Sequence, residues 1–597
     1  MRTRIRYVLV LLVVSTIILA GCGPTGTNTP ETTDSPEVTR TPVEPETIQP
    51  PTQPEATKPP IAPEATRPPA RPEFSCEPLE PPAASGFDPA RYALSEAGLY
   101  LEGLVAVTGM SESGSAGADI DAVMQQVWDT ATPPAYLDEI MLDGLVIRLY
   151  DYTDNEELEG LTVWEVVLAV YLAALRQNVN VFGDPDYLLG APWDIQGSPW
   201  DIQGSPWDIQ GSPWATAAQG MDLDEYLFWE QWAFEDKPYG IGITPQDNGG
   251  AKMRLAIFDT SPFQESGPYV FDLEGPDLQL CVSHPLPVVA PQGSHDYKEH
   301  GLAVAGLAHA VAPESEIDFI RVLNDGAEGD LFTLLKSMSL FLQRVIDERG
   351  YTIVDEHTLI NVIINLSLGF RPEYSTPPDN LVYLLNSELE PGDYLASYPV
   401  PTTLQERLQE WIDLDEEEKI NRIKALRDKL ELVESEAIPV PAFRFLIRFA
   451  TARDAILVAA AGNEHSDVSQ RPALWPEVIG VGASNISAGQ SCYSSAGDVY
   501  APGGNGDGSC TSQLQLCAED PYAECPYGMI SLVTLQDPEI PPEEGVTAHQ
   551  YAYLVGTSFS TPLVSGLVAL HEIPAQNVPS LIQTGELAEM LGVIYIP

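Results

Sequence analysis

The stretch VGTSFSTPLVSGLVAL, residues 555–570, indicates the fold most directly. Small and hydroxyl-bearing residues lead into an apolar run, which predicts a tight turn followed at once by a buried helix. Gly556 allows the sharp turn, and Pro562 falls in the first helical turn, where its missing N–H costs little. Ser558 is therefore expected at a helix N-terminus, where free N–H groups and the helix dipole favour a developing negative charge.

Three other polar residues are expected at the ends of buried elements. The stretch LAIFDTS places Asp259 directly after an apolar strand, and VAAAGNEH places Asn463 after another. The stretch EHGLAVAGLAHAVAP places His300 at the start of a helix of small residues. Each signal alone is weak, because an Asp after a strand, a His beside a Gly and an Asn after a Gly are usually structural. Together they form a pattern with a chemical use.

That use is nucleophilic catalysis. A serine hydroxyl such as that of Ser558 is a weak nucleophile until a base such as His300 takes its proton. A carboxylate such as Asp259 on the other ring nitrogen fixes the tautomer and stabilises the imidazolium. The Asn463 amide and the backbone N–H of Ser558 can stabilise a tetrahedral oxyanion.

The surrounding sequence predicts an α/β fold. Continuous β-branched runs alternate with helical segments, which is typical of a mainly parallel, doubly wound sheet with helices on both faces. Active-site groups in such sheets lie at the carboxyl ends of the strands. The runs are RLAIFD, IDFIRVL, LINVIINLSLG, AILVAAAGN and EVIGVGAS.

Residues 219–597 resemble the catalytic domain of the subtilisin-like serine peptidases, the subtilases. The resemblance rests on the motifs DTS, HGLAVAG, AAAGN, YSSAGDVYAPGG and GTSFSTPLVSG. The chain order Asp, His, Ser is also that of the subtilisins. The resemblance implies peptide-bond hydrolysis by Asp259, His300 and Ser558, with Asn463 in the oxyanion hole and no cofactor required.

The same resemblance implies how a substrate is held. The segment INLSLG resembles the strand that pairs with the substrate backbone, through Ser367, Leu368 and Gly369. Substrate binding is also expected at Ala460, Ala461 and Gly462. Three residues depart from the family motifs: Ser261, Ala303 and Leu563. Because none of them belongs to the triad or the oxyanion hole, they are expected to change the packing around the site more than the activity. Many relatives bind structural calcium, but no ligands can be assigned here among so many carboxylates.

Residues 87–190 are expected to form a small α/β domain, with VFGDPDYLL as its closing strand. Within it, residues 141–152 are predicted to form one strand and residues 156–177 one long helix. This ending resembles that of subtilase propeptides, which are β-α-β-β-α-β domains of the ferredoxin-like α+β type. The resemblance implies a domain that assists folding and whose tail blocks the cleft as an intramolecular inhibitor. An unrelated α/β adapter domain is the alternative.

Two segments next to this domain are expected to lack a core. Residues 22–86 are rich in Pro and Thr and poor in large apolar residues, which predicts a disordered tether. Residues 191–218 repeat the unit SPWDIQG, whose Pro and Gly argue against a coiled coil. The repeat is predicted to be an extended, accessible connector, with autoprocessing between Leu189 and Gln219. The role of its Trp residues stays open.

The N-terminus predicts export. Residues 1–21 have three arginines and a short apolar run, which is typical of a secretory signal. The ending LAGC resembles the lipobox of bacterial lipoproteins, which implies lipid on Cys22 and a membrane anchor on the extracytoplasmic face. An ordinary signal with an incidental Cys is the alternative.

Composition constrains partners and redox state. The net charge of −58 excludes nucleic acid as an expected partner, because phosphates would be repelled. If Cys22 is lipidated, an even number of cysteines remains, which suggests disulfides in an oxidising compartment. The last four could pair among themselves, leaving Cys76 to link with Cys281. The six are Cys76, Cys281, Cys492, Cys510, Cys517 and Cys525.

Insertions are expected near 371–441, as a solvated helix pair, and near 503–550, as a disulfide-stapled loop. The sequence as a whole predicts a monomeric, lipid-anchored serine endopeptidase acting on proteins or peptides. A catalytically inactive surface protein used for binding or adhesion is the alternative.

Overall fold

A computed structural model describes the chain from Cys76 to Val593, with gaps. All of these residues belong to the second of two units, Pro72–Pro597. The described ranges are 76–82, 87–95, 99–111, 113–153, 155, 158, 161–190, 228, 231–234, 240–243, 253–273, 275–290, 297–348, 362–370, 381, 415–430, 440–504, 528–534, 546–571 and 573–593. The predicted signal segment, the predicted tether up to residue 75, the SPWDIQG repeat and most of both predicted insertions lie outside them.

The N-terminal part has the order β-α-β-β-α-β. Its strands form an antiparallel sheet in the order β2-β3-β1-β4, and a fifth strand from the following domain, β9, continues the sheet beside β4. The elements are β1 Tyr100–Met110, α1 Ala116–Trp128, β2 Asp138–Leu142, β3 Leu145–Asp151, α2 Val163–Gln177 and β4 Val181–Gly190.

Two local predictions in this domain were wrong. The run 141–152 was expected to be one strand, but it contains the turn between β2 and β3, where Gly144 has φ +77°. An Asp-Gly pair is a common turn signal and outweighs the apolar run. The helix expected over 156–177 begins only at Val163, because Thr162 and Glu165 form a reciprocal capping box.

The larger domain is built on an eight-stranded sheet in the order β13-β12-β11-β10-β5-β8-β7-β6. All neighbouring pairs are parallel except β6 with β7, so the predicted mainly parallel sheet is confirmed. Its strands are β5 Arg254–Asp259, β6 Gly267–Phe271, β7 Leu278–Ser283, β8 Glu316–Arg321, β10 Val362–Leu366, β11 Ile456–Ala460, β12 Val478–Ser484 and β13 Val499–Pro502. Outside it lie β9 Glu328–Asp330 and the hairpin of β14 Met529–Thr534 and β15 His549–Leu554.

The helices of this domain are α3 His300–Val311, α4 Leu331–Glu348, α5 Glu416–Leu430, α6 Pro441–Thr451, α7 Thr557–His571, α8 Val578–Thr584 and α9 Glu586–Leu591. Short 3-10 helices occur at Pro89–Arg91, Trp232–Phe234 and Ala575–Asn577. Among the described residues, no helix is both long enough and apolar enough to cross a membrane.

Helices cover both faces of the sheet. Along β5, Leu255 and Ile257 pack into the core that holds α3 and α7, whereas Ala256 and Phe258 point into the core that holds α4 and α6. This second core continues without a break into the N-terminal domain, where Phe182 packs against Phe445 with 5.1 Å between ring centroids. Burying one such ring stabilises the folded state by about 1.5–3 kcal/mol. Contacts of this kind therefore hold the two domains together.

Helix α5 corrects the prediction of a purely solvated insertion. Ile423, Leu426 and Leu430 are buried, and Arg422 donates to the carbonyl oxygens of Leu175 and Arg176 at the end of α2. A guanidinium at a helix C-terminus pairs with otherwise unsatisfied carbonyls. The charged face of α5 thus caps a helix of the N-terminal domain.

A disulfide joins Cys76 to Cys281 in β7, as the sequence predicted. Cys492 is also disulfide-bonded. Cys510, Cys517 and Cys525 lie outside the described residues, so local pairing of the last four cysteines stays a prediction.

Candidate active site

Asp259 and His300 form a buried pair at the edge where β5 ends and α3 begins. His300 Nδ1 donates to Asp259 Oδ1 over 2.7 Å, and the Thr260 N–H donates to the same oxygen over 2.7 Å. Both side chains are fully buried. The Nδ1 proton is held by the carboxylate, so Nε2 is the nitrogen able to accept a proton from a hydroxyl.

Gly301 explains how the two elements come so close. A Cβ at this position would overlap Thr260 O and lie 2.9 Å from Asp259 Cβ. The Gly301 N–H also donates to Thr260 Oγ1 over 3.0 Å, which fixes the start of α3 against the end of β5. Any larger residue after His300 would push the imidazole away from its carboxylate.

Ser558 lies in the first turn of α7 and is tied to the end of β10. Its Oγ donates to Ser367 O over 3.3 Å, and Ser367 Oγ donates back to Ser558 O over 2.9 Å. The ring of Phe559, the next residue, lies 5.3 Å from the His300 ring between centroids. Phe559 thus contacts the histidine ring, and the serine before it directs its hydroxyl to Ser367 O. Proton transfer to His300 requires the hydroxyl to rotate away from that carbonyl.

Asn463 follows β11 and is oriented by the residue before the serine. Its Oδ1 accepts from both N and Oγ1 of Thr557, each over 3.0 Å. Its Nδ2 is buried and donates to no acceptor within the described part of the chain. Gly462, at φ +108°, gives the chain the turn that aims this amide. A fixed, unused donor beside a candidate nucleophile suits a developing oxyanion.

The end of β4 lies between two segments of the larger domain. On one side Leu188, Leu189 and Gly190 face the β9 residues in antiparallel register. On the other side Gly190 N donates to Gly369 O over 3.1 Å, and Gly369 N donates to Gly190 O over 2.9 Å. The segment predicted to bind a substrate strand therefore pairs with the chain's own residue 190. Strand β9 could not be predicted, since three residues are too few to show periodicity.

Carboxylates from β4 cap two helices of the larger domain. Asp184 Oδ2 accepts from Ala442 N at the start of α6 over 3.0 Å. Asp186 Oδ1 accepts from Phe332 N at the start of α4 over 2.9 Å. Each contact satisfies a free N–H at a helix N-terminus, so both hydrogen bonds favour docking of the N-terminal domain.

A second carboxyl group shares the N-terminus of α4. Asp330 Oδ1 accepts from Thr333 N over 2.8 Å, and both Asp330 and Asp186 are fully buried. Burial, followed by the charge of Asp330, raises the pKa of Asp186 well above its ordinary value. Burial raises the pKa of Asp330 to about 6. Sequence reasoning missed this pair, because it joins residues far apart in the chain.

The three residues that depart from the family motifs are accommodated by a hydrogen bond or by core packing. Ser261 Oγ accepts from Phe263 N over 3.3 Å and lies 3.1 Å from His284 Nε2. Ala303 and Leu563 are buried in the core that holds α3 and α7. No group of three or more His, Cys, Asp or Glu residues in the described ranges could hold a metal ion.

Residues 282–578 match the model of the Subtilase family. That range contains His300, Asn463 and Ser558, and Asp259 lies before it. No curated protein sequence matches the chain significantly.

Solved structures similar to this chain include two bacterial proteases. One is a protease from Pseudoalteromonas arctica PAMC 21717, with 17% identity, a TM-score of 0.33, and coverage of 61% of this chain and 92% of the other. The second is fervidolysin from Fervidobacterium pennivorans, a keratinolytic enzyme related to subtilisin. It has 16% identity, a TM-score of 0.39, and coverage of 85% of this chain and 60% of the other.

Proposed function

We propose that this chain is a serine endopeptidase with Ser558 as nucleophile, His300 as general base and Asp259 as the carboxylate that orients the base. The observation that carries the proposal is the buried 2.7 Å hydrogen bond between His300 and Asp259, together with Ser558 in the first turn of α7, the helix that packs against α3. The match of residues 282–578 to the Subtilase family supports the same reaction class.

The reaction follows from these positions. Ser558 attacks the substrate carbonyl while His300 takes the hydroxyl proton, and the resulting imidazolium is stabilised by Asp259. The Asn463 Nδ2 group and backbone N–H groups at the start of α7 stabilise the oxyanion. Collapse of the intermediate releases the amine, which takes its proton from His300, and water then hydrolyses the acyl-serine ester.

The test is hydrolysis of an unfolded protein such as reduced casein, followed by mass spectrometry of the fragments. We expect internal cleavage by the wild type and none by Ser558→Ala. Ser580→Ala, in the exposed part of α8, is a matched control that should keep activity. Equal cleavage by the wild type and Ser558→Ala would contradict the proposal, and release of single terminal residues would contradict an endopeptidase.

The N-terminal domain is part of the same proposal, as an intramolecular inhibitor. Residues 188–190 take the position of a substrate strand between β9 and Gly369, which prevents a second peptide from entering. Activity then requires cleavage of the connector after Gly190 and departure of the domain.

A lipid anchor at Cys22 completes the proposal, placing the protease on the extracytoplasmic face of a bacterial membrane. It rests on the LAGC sequence after a short apolar run. Incorporation of an alkyne fatty acid into the wild type, and not into Cys22→Ser, is the expected result. Equal incorporation into both would exclude this anchor.

A further inference from the structure

The carbonyl oxygen of Ser558 cannot receive the hydrogen bond that is usual inside an α-helix. There it would accept from the N–H of the residue four positions later. That residue is Pro562, which lies in the second turn of α7 and not in the first turn as the sequence predicted, and proline has no N–H. Ser367, just after β10, supplies a donor instead, because its Oγ donates to Ser558 O over 2.9 Å.

Two further side chains extend this contact away from the nucleophile. Asn365 Nδ2 donates to Ser367 Oγ over 3.0 Å. Ser565 Oγ, two turns along α7 from Ser558, donates to Asn365 Oδ1 over 2.9 Å and lies 3.1 Å from Thr561 O. Asn365, Ser367 and Ser565 are fully buried, so solvent does not compete for these hydrogen bonds.

The direction of this chain of hydrogen bonds is set at the Ser558 end. Because a carbonyl oxygen only accepts, Ser367 directs its one proton to Ser558 O and accepts from Asn365. The Asn365 amide therefore turns its NH₂ group to Ser367 and its oxygen to Ser565, which donates. Without the Ser565 hydroxyl, that oxygen would lose its donor in a buried place. Rotation of the amide would then bring its oxygen to Ser367 and draw the Ser367 proton away from Ser558 O.

We propose that Ser565 and Asn365 are positioning residues, which hold the Ser367 hydroxyl on Ser558 O and so fix the backbone that carries the nucleophile. The inference rests on the proposed function. Ser558 Oγ also donates to Ser367 O over 3.3 Å, so the position of Ser367 sets where the reactive hydroxyl starts. A misplacement of about 1 Å can slow a reaction by about 10²-fold, so loss of this support should reduce the rate of attack.

The experiment measures the rate constant for modification of Ser558 by a fluorophosphonate, together with kcat and KM for a peptide, each per titrated active site. The protein is the full chain after autoprocessing has run to completion. The variants are Ser565→Ala, Asn365→Ala and the double variant. Ser339→Ala is the matched control, since Ser339 is a buried serine on α4 whose Oγ donates to Lys336 O, in the preceding turn, over 2.7 Å.

Ser565→Ala should lower the fluorophosphonate rate constant and kcat by at least about tenfold, with KM within about twofold of the wild type. Asn365→Ala should lower both at least as much. Because Ser565 acts through Asn365, adding Ser565→Ala to Asn365→Ala should have no further effect. Ser339→Ala should match the wild type. A purely structural role would lower thermal stability and the number of titrated sites, but would leave the rate constant of each site unchanged.

An unchanged rate constant in Ser565→Ala, or a rise in KM at constant kcat, would overturn the inference. So would effects that multiply in the double variant, since the two residues would then act independently. If Asn365→Ala does not fold, Ser565→Ala alone decides through the split between kcat and KM. If no chain, the wild type included, is modified at Ser558, the proposed function fails and this inference falls with it.

Discussion

Gly190 and Gly369 exchange both of their backbone hydrogen bonds, at 3.1 and 2.9 Å. The closing strand of the N-terminal domain thus adds to the larger domain at the segment predicted to hold a substrate backbone. This pairing fixes a register, and a register predicts where the chain is cut.

The first cut is predicted two residues beyond Gly190. Extending the antiparallel pairing of Gly190 with Gly369 by two residues predicts that Pro192 would come opposite Ser367, with its carbonyl towards Ser558. Edman sequencing of the processed chain should therefore begin at Trp193. The Ser558→Ala chain should stay uncut, and a first N-terminus other than Trp193 would contradict this register.

Removal of the Asn463 amide should slow the chemical step. The Nδ2 group is held in place by Thr557 and has no acceptor among the described residues. Asn463→Ala is expected to lower kcat by about 10²–10³-fold with little change in KM. Asn577→Ala, an exposed residue before α8, should leave both constants unchanged. A rise in KM at constant kcat would show that Asn463 binds the ground state instead.

Docking of the N-terminal domain should weaken as pH rises. Burial raises the pKa of Asp330 to about 6 and, with the charge of Asp330, raises that of Asp186 well above its ordinary value, so the docked state favours protonated carboxyls. Once the domain leaves, Asp186 returns towards its ordinary pKa, and Asp330 regains water. The stabilisation is thus complete below about pH 4 and is lost as pH rises through about 6.

The measurement is dissociation of the cleaved domain between pH 4 and 8, in a Cys281→Ser background that removes the covalent link. Asp186→Asn keeps the acceptor for Phe332 N but cannot ionise, so its dissociation should depend less on pH and be slower at pH 7.5. Asp129→Asn, on an exposed turn, is the control. Tighter docking at pH 8 than at pH 5 would reverse the assigned sign.

The disulfide between Cys76 and Cys281 should hold the processed pieces together. Cleavage beyond Gly190 separates Cys76 from Cys281 in the chain but leaves their sulfurs bonded. A non-reducing gel should show one band and a reducing gel two, while Cys281→Ser should show two bands in both. Two bands from the processed wild type without reductant would rule out the link.

Sequence reasoning located residues whose signals are local. Asp259, His300, Asn463 and Ser558 each stand at the end of an element that its own residues specify, and the structure has strands or helices ending there. Contacts that form only through tertiary packing have no comparable local signal in the sequence. Asp186 and Asp330 come from elements far apart in the chain. The hydrogen bond from Phe332 N to Asp186 Oδ1, next to Asp330, spans 146 residues.

The burial of Gln470 between Gly369 and Gly462 could not be predicted from the sequence either. Nothing in its neighbours distinguishes a polar loop residue from one folded between two glycine-containing segments. The turn at Gly144 is different, because its Asp-Gly signal is present in the sequence and predicts the turn when it is given more weight than the apolar residues on either side.

The central claim is that Ser558 is an activated nucleophile. The most direct measurement is reaction of the processed protein with a fluorophosphonate probe, with the modified residue located by mass spectrometry. The account predicts stoichiometric modification of Ser558 in the wild type, strongly slowed modification in His300→Ala, and none in Ser558→Ala. No modification of correctly folded, processed wild type, or modification that persists in Ser558→Ala, would contradict it.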